Sequence, residues 1–358
     1  MPQAYSEELK ELLLAVAKEQ ASDLHISVGK HPTLRVSREL VPLVKKPVLT
    51  PEDTRGIVFE MLDEPLQKKL LEEKELDFSY NFEDKVRFRV NAFFERGFLS
   101  AALRLVPVEI KGLKELNLPE VLRDFTNREQ GFFLVVGPTG HGKTTTLAAM
   151  IDIINRERAE HIITIEDPIE YLFTQDKSLI DQREVGSDTR DFHSALRSMF
   201  RQDVNVAMIG EMRDPETMAA AVTAAETGHL VFSSLHTNSA AQTVDRIIDS
   251  FPAAQQNQIR SQLSSTLLGI FSQRLVPRVS GGLIPAYELL IANTAVRNLI
   301  RENKIHELDL VIETSAEQGM VSLNQSLLSL VRAGETNLEN ALAFSLNPKE
   351  LEALMGRR

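Results

Sequence analysis

Between Gly131 and Met150 the chain reads GFFLVVGPTGHGKTTTLAAM. An unbroken apolar run, Phe132 to Val136, predicts a buried strand. A glycine-rich loop follows, and then a helix beginning near Lys143. The loop fits G-x-x-x-x-G-K-[ST] without a gap: Gly137, Pro138, Thr139, Gly140, His141, Gly142, Lys143, Thr144. Glycines let successive backbone N–H groups turn inward around a phosphate, and the helix N-terminus adds partial positive charge. Lys143 can then reach the β- and γ-phosphates, and the Thr144 hydroxyl can ligate Mg²⁺. Strand, loop and helix in this order imply a nucleoside triphosphate site in an α/β domain.

The chain has 358 residues, enough for two domains each with its own core. It is 43% hydrophobic and 25% charged, as expected of a soluble globular protein. No apolar run reaches the ~18 residues that suggest a membrane span, and the start, MPQAYSEELK, lacks a secretory signal pattern. With no cysteine there are neither disulfides nor thiolate metal sites, which suits a cytosolic chain. A net charge of −11 and the lack of tryptophan argue against a nucleic-acid track, because such channels favour basic grooves with stacking platforms.

Ahead of the loop, residues 6–20 predict an amphipathic helix capped by Ser6, with Leu9, Leu12, Leu13 and Val16 on one face. Leu24, Ile26 and Val28 alternate as a strand, and a turn at Gly29 to Pro32 leads to a partner through Leu34 and Val36. Thr50-Pro51 opens another helix. Strands follow at Leu76 to Phe82, Val86 to Ala92 and Leu99 to Val106. Alternation places Arg87, Arg89 and Asn91 on the polar face, and the next strand carries Arg104. These arginines suit a solvated sheet face; they equally suit groups reaching a nucleotide held by a neighbouring subunit. Residues 107–119, bounded by prolines and aperiodic, read as a linker. The expected domains are 1–106, an α+β unit, and 120–358, the nucleotide-binding unit with a helical C-terminal region.

Beyond the loop, His161 to Glu166 predicts a strand that Asp167-Pro168 ends, and Asn205 to Gly210 predicts another that ends before Glu211. Ligands of open α/β sheets sit beyond the carboxyl ends of strands, so both acids are expected to face the phosphates. Phosphoryl transfer to water needs a positioned metal and an oriented water. Glu166 is assigned to the water and Glu211 to Mg²⁺, although the residues alone permit the reverse. Asp214-Pro215 opens an alanine-rich helix, and a strand from Leu230 ends near His236. His229 and His236 suit either structural roles or γ-phosphate sensing. The remainder reads as helical apart from a strand at Leu283 to Leu289. Within it, residues 294–302 form either a plain surface helix or a partner-facing one.

Together these segments resemble the secretion and pilus motor ATPases, specifically the type IV pilus retraction (PilT-type) branch, from about Ala21 to Leu354. GPTGHGKTT resembles the family's Walker A motif, TIEDPIEY (Thr164 to Tyr171) its Asp box, and IGEMRDPET (Ile209 to Thr217) its Walker B. AAETGHLVFSSLHTNSA (Ala224 to Ala240) resembles its His box, and AVRNLIRE (Ala295 to Glu302) the retraction signature. ASDLHISVG and RFRVNAF match its PAS-like N-terminal domain. The resemblance implies a RecA-like P-loop core preceded by a PAS-like domain. It implies a hexamer that hydrolyses ATP with Mg²⁺ at the cytoplasmic face of the inner membrane and turns a PilC-type platform protein. By the same resemblance Glu166 is the general base and Glu211 handles Mg²⁺. Residues Gly137 to Thr145 hold phosphates, His229 and His236 sense nucleotide, and Arg87 and Arg104 are the arginines that close on it.

The chain departs from the family pattern at several places. His141 replaces a serine, Val296 an isoleucine, Pro215 a leucine, Val204-Asn205 a Pro-Asp pair and Arg38 a turn glycine. None of these removes a catalytic group. The alternatives to a retraction motor are a related traffic ATPase for assembly, secretion or DNA uptake, and a nucleotide-gated interaction protein that hydrolyses weakly.

Overall fold

The computed structural model describes residues 2–37, 39–82 and 86–356. Arg38, Arg357 and Arg358 lie outside them. Contacts divide the chain into two units, Met1–Val108 with Glu170–Leu172, and Glu109–Ile169 with Phe173–Arg358.

The first unit contains α1 (Pro2–Lys18), β1 (Asp23–Ile26), β2 (Thr33–Val36), β3 (Glu39–Pro42), α2 (Pro51–Phe59), α3 (Glu64–Glu73), β4 (Glu75–Phe82), β5 (Val86–Glu95) and β6 (Phe98–Val106). Among the described residues its strands form one antiparallel sheet in the order β3-β2-β1-β6-β5-β4. Leu12, Leu13, Val16, Ile57, Val58 and the inward residues Phe88, Val90 and Ala92 make its core. Ser6 does not cap α1, which begins at Pro2. A proline lacks an N–H that the first turn does not need, and Tyr5 anchors that turn against Gly56, where an added Cβ would fall 2.4 Å from its ring. Thr50 caps α2 in a full capping box with Asp53.

The second unit runs α4 (Leu122–Thr126), β7 (Gly131–Val136), α5 (Lys143–Glu157), β8 (His161–Glu166), β9 (Leu179–Glu184), α6 (Phe192–Met199), β10 (Val206–Ile209), α7 (Pro215–Glu226), β11 (Leu230–Leu235), α8 (Ala240–Asp249), α9 (Ala253–Thr266), β12 (Leu267–Pro277), β13 (Leu283–Ile291), α10 (Thr294–Arg301), α11 (Leu308–Thr314), α12 (Leu323–Arg332), α13 (Leu338–Phe344) and α14 (Pro348–Gly356). The sheet order is β13-β12-β7-β11-β10-β8-β9, parallel except where β13 meets β12. Side chains alternate along a strand, so neighbouring residues of β7 serve different helical layers. Phe132, Leu134 and Val136 pack with α6 to α11, whereas Phe133 and Val135 pack with α4 and α5. Helices on both faces of a mostly parallel sheet make this the RecA-like α/β core. Residues 107–119 are not a bare connector, because Leu113 and Leu118 join the layer of α4 and α5.

Helix α10 buries Val296 and Ile300, and Arg297 turns inward. Its guanidinium donates to the carbonyls of Ala292 (3.0 Å), Ser264 (2.9 Å) and Leu267 (2.8 Å), and also to Ser265. It thereby satisfies carbonyls at the end of α9, alongside the Leu267 N–H that donates to the Leu263 carbonyl. Arg297→Ala should lower stability by about 2–3 kcal/mol, the size expected when carbonyls lose a charged donor. A urea midpoint unchanged from wild type would contradict this role.

Candidate active site

The carboxyl ends of β7, β11, β10 and β8 lie along one edge of the second unit's sheet. Val136 is level with Leu235, Ile209 with Ser233, and Ile209 with Ile165. Each of these strands ends in a residue singled out above: Gly137 after β7, His236 after β11, Glu211 just after β10 and Glu166 at the end of β8.

Lys143, the first residue of α5, is buried and donates to the carbonyls of Gly137 (2.9 Å) and Pro138 (3.0 Å). Its ammonium also lies 3.3 Å from Nδ1 of His236, and the Thr139 hydroxyl lies 3.1 Å from the same nitrogen. An ammonium can only donate, so Nδ1 carries the lone pair and the Nε2–H donates to Glu211 Oε2 at 3.1 Å. One imidazole therefore bridges the phosphate-loop lysine and the acid after β10. Arg213 pairs with the other Glu211 oxygen, and that carboxylate raises the arginine's pKa. The turn carrying Glu211 is fixed from β11, where the Ser234 hydroxyl donates to the Gly210 carbonyl at 2.6 Å.

Glu166 is 3% exposed. Its Oε1 accepts from the Thr164 hydroxyl at 2.7 Å and from Gln182 of β9 at 3.3 Å. It stands three strands from β7, roughly 14 Å across the sheet at ordinary strand spacing. Thr144 lies in the first turn of α5 next to Lys143, with Thr145 following.

His229 lies at the other end of β11, where its Nδ1 meets the Ala224 carbonyl at 3.0 Å and its ring sits edge-on to Phe200. A β-strand carries its two ends to opposite edges of the sheet, so within this chain the phosphate-loop cluster contains His236 and not His229. Arg87 and Arg104 belong to the first unit. Arg87 donates to Asn81 at 3.1 Å and Arg104 pairs with Asp23 at 2.8 Å. Hydrogen bonds also depress the Asp23 carboxyl below its usual value, against the opposing effect of burial.

Sequence reasoning missed β12, which supports the site from beside β7. Gln273 donates to the His141 carbonyl (2.8 Å) and accepts from Thr146 of α5 (2.7 Å), tying loop to helix. The Leu275 N–H donates to Nδ1 of His141 at 2.8 Å. Ser272 and Arg274 instead hold Asn238, in the loop after His236, at 3.0 and 3.2 Å. From β13, Glu288 accepts from the Ala240 N–H at 2.7 Å at the start of α8. Burial pushes that carboxyl up to about 7. The available signal for β12 was the run Leu267 to Phe271, which is apolar enough to be a buried strand.

The arrangement fits Mg²⁺. Among the described residues no group of three or more His, Cys, Asp or Glu is placed to hold a metal. Mg²⁺ needs no such cage, because one or two protein oxygens suffice when phosphates and waters supply the rest. Thr144, beside Lys143 in the first turn of α5, and Glu211, joined to that lysine through His236, would be the residues to supply them.

A family model described as type II/IV secretion system protein matches residues 3–282. The type IV pilus retraction ATPase PilT of Pseudomonas aeruginosa is 43% identical over 334 residues, 93% of this chain and 97% of that protein. The type IV pilus ATPase PilU of the same organism is 40% identical over 349 residues, 97% of this chain and 91% of its own. The crystal structure of the pilus retraction motor PilT with bound ADP matches with a TM-score of 0.89 at 47% identity, covering 96% of this chain and 98% of that one. The chain belongs to the type II/IV secretion system protein family, in the branch of the type IV pilus retraction ATPases.

Proposed function

We propose that the chain is a hexameric motor that hydrolyses ATP to drive retraction of a type IV pilus. The observation that carries this reading is the bridge Lys143–His236–Glu211 at the phosphate-loop edge, because it joins the group that meets phosphate to the group that serves the metal. Likeness to a retraction motor solved with ADP supports the same reading.

In this proposal residues Gly137 to Thr145 wrap the phosphates, with the N–H groups from Thr139 onward and the start of α5 as the donors. Lys143 exchanges its loop carbonyls for phosphate oxygens. Thr144 and Glu211 hold Mg²⁺, which when bound neutralises charge on the phosphates. Glu166 orients and deprotonates the attacking water, and His236 reports the state of the phosphates through its two nitrogens. Arg87 and Arg104 are supplied by a neighbouring subunit, and His229 acts across the same boundary. The motor works at the cytoplasmic face of the inner membrane on a PilC-type platform protein. Among the described residues no helix is long and apolar enough to cross a membrane.

Steady-state ATP turnover per subunit, measured over a wide range of protein concentration and alongside sizing, tests the ring. Turnover should climb steeply and then saturate as hexamers form. A monomer active at the full rate would overturn the shared-site reading. In cells, deletion should leave excess surface pili and no twitching; loss of pili would instead indicate an assembly motor.

A further inference from the structure

We propose that His141 is a positioning residue that locks the phosphate loop to β12 and to the C-terminal helices in its neutral form only, so that nucleotide affinity depends on its protonation. The inference rests on the nucleotide site proposed above and concerns a residue whose ring meets the Leu275 N–H and Phe344.

Three observations carry it. The Leu275 N–H donates to Nδ1 of His141, so that nitrogen must hold a lone pair. The His141 carbonyl is held by Gln273, whose other end holds Thr146 of α5, so ring and backbone are fastened to the same strand. The ring also packs edge-on against Phe344 at the end of α13, with centroids 6.2 Å apart. Phe344 belongs to the apolar cluster that α12, α13 and α14 form over Val276 of β12 and Ala286 of β13. One imidazole is thus the place where the phosphate loop, β12 and the C-terminal helical layer meet.

An imidazolium has N–H groups at both nitrogens, so protonation would set two donors against each other at Leu275. The charged groups acting on the ring are Arg274 of β12 and Lys143 of α5, both cations. Burial first, then Arg274 and Lys143, hold the imidazole below the ordinary histidine value of 6.5. The sign follows: the lock is complete above that value and is lost as pH falls through the lowered one. The released loop would lose the fixed spacing of its N–H groups, which weakens nucleotide binding while leaving the chemical groups in place.

The test compares wild type, His141→Asn and His141→Ala in the full chain. Asparagine places an oxygen near the position of Nδ1 and does not titrate, so it should keep the lock at every pH. Hydrogen exchange of the Leu275 amide, without nucleotide, reads the lock itself. On acidification its protection should fall in wild type relative to His141→Asn at the same pH, and it should be low throughout in His141→Ala. MgADP affinity reads the consequence. The ratio of wild type to His141→Asn should fall about fivefold between neutral and acidic pH, the scale of one net hydrogen bond. Equal pH profiles for wild type and His141→Asn, or Leu275 protection in His141→Ala like that of wild type, would overturn the proposal. Normal exchange behaviour with no MgADP binding in any variant would instead overturn the nucleotide site, and the link to affinity with it.

Discussion

Glu166→Gln is expected to lower ATP turnover by roughly 10²- to 10⁴-fold, the range for removal of a general base. The substitution preserves shape: a glutamine oxygen can still accept from Thr164, whose hydroxyl now donates to the carboxylate at 2.7 Å. What it removes is the capacity to take a proton. Nucleotide affinity should therefore survive, giving a loss in kcat with little change in KM. Glu211→Gln provides the contrast. That residue is tied to His236 and Arg213 rather than to the end of β8, and its replacement should raise the Mg²⁺ concentration needed for turnover. Wild-type turnover in Glu166→Gln, together with abolished turnover in Glu211→Gln at saturating Mg²⁺, would reverse the two roles.

The second large effect belongs to Gly137. Its φ is +145°, and a Cβ there would lie 2.3 Å from the Gln273 carbonyl oxygen. That oxygen is backbone, in register with Tyr287 of β13 and one residue past the last pair with β7, so it yields less readily than a side-chain tip. Gly137→Ala should cost about 2–4 kcal/mol through combined backbone strain and overpacking. Nucleotide binding should be lost with it, since the loop would be pushed off β12. Gly140→Ala separates the two causes: its φ is +79° but an added Cβ meets nothing within 4 Å. Strain alone should then cost about 1–2 kcal/mol. Equal urea midpoints for the two variants would argue against the steric account.

Much of this architecture could be read in advance because its signals are local. The run Phe132 to Val136 is a buried strand by composition, and the loop after it leaves few alternatives. The caps at Thr50 and Asp214 each precede a proline that starts a helix. What escaped was held by distant partners. Strand β12 follows α9 directly, Thr266 ending one and Leu267 starting the other, with no turn residue to announce the change. Its middle, Ser-Gln-Arg, looks solvated but is recruited to hold two loops more than thirty positions away in sequence. Strand β9 hid in the same way: Gln182 and Glu184 are polar because one reaches Glu166 and the other accepts from the Ile169 N–H. Arg297 could be placed on a helix from its spacing, yet its inward turn depends on where α9 ends. Of the candidate site, Lys143, Glu211 and His236 come together; the bond through His236 was not legible, because tautomer and distance belong to the folded chain.

Strand β12 also imposes a rule of parity. The side chains of 272 and 274 attend to Asn238, whereas the side chain of 273 and the backbone N–H of 275 attend to the phosphate loop. A strand turns each successive side chain to the other side, so inserting or deleting one residue between Gly269 and Ser272, past the register shift at Leu267–Gly269, would exchange the sides of 272, 273 and 274 at once. Two residues would restore the sides but shift the contacts by a full repeat along the sheet. Past that irregularity, drift is therefore confined to replacement: the length from Gly269 onward is set by two loops that the strand never joins.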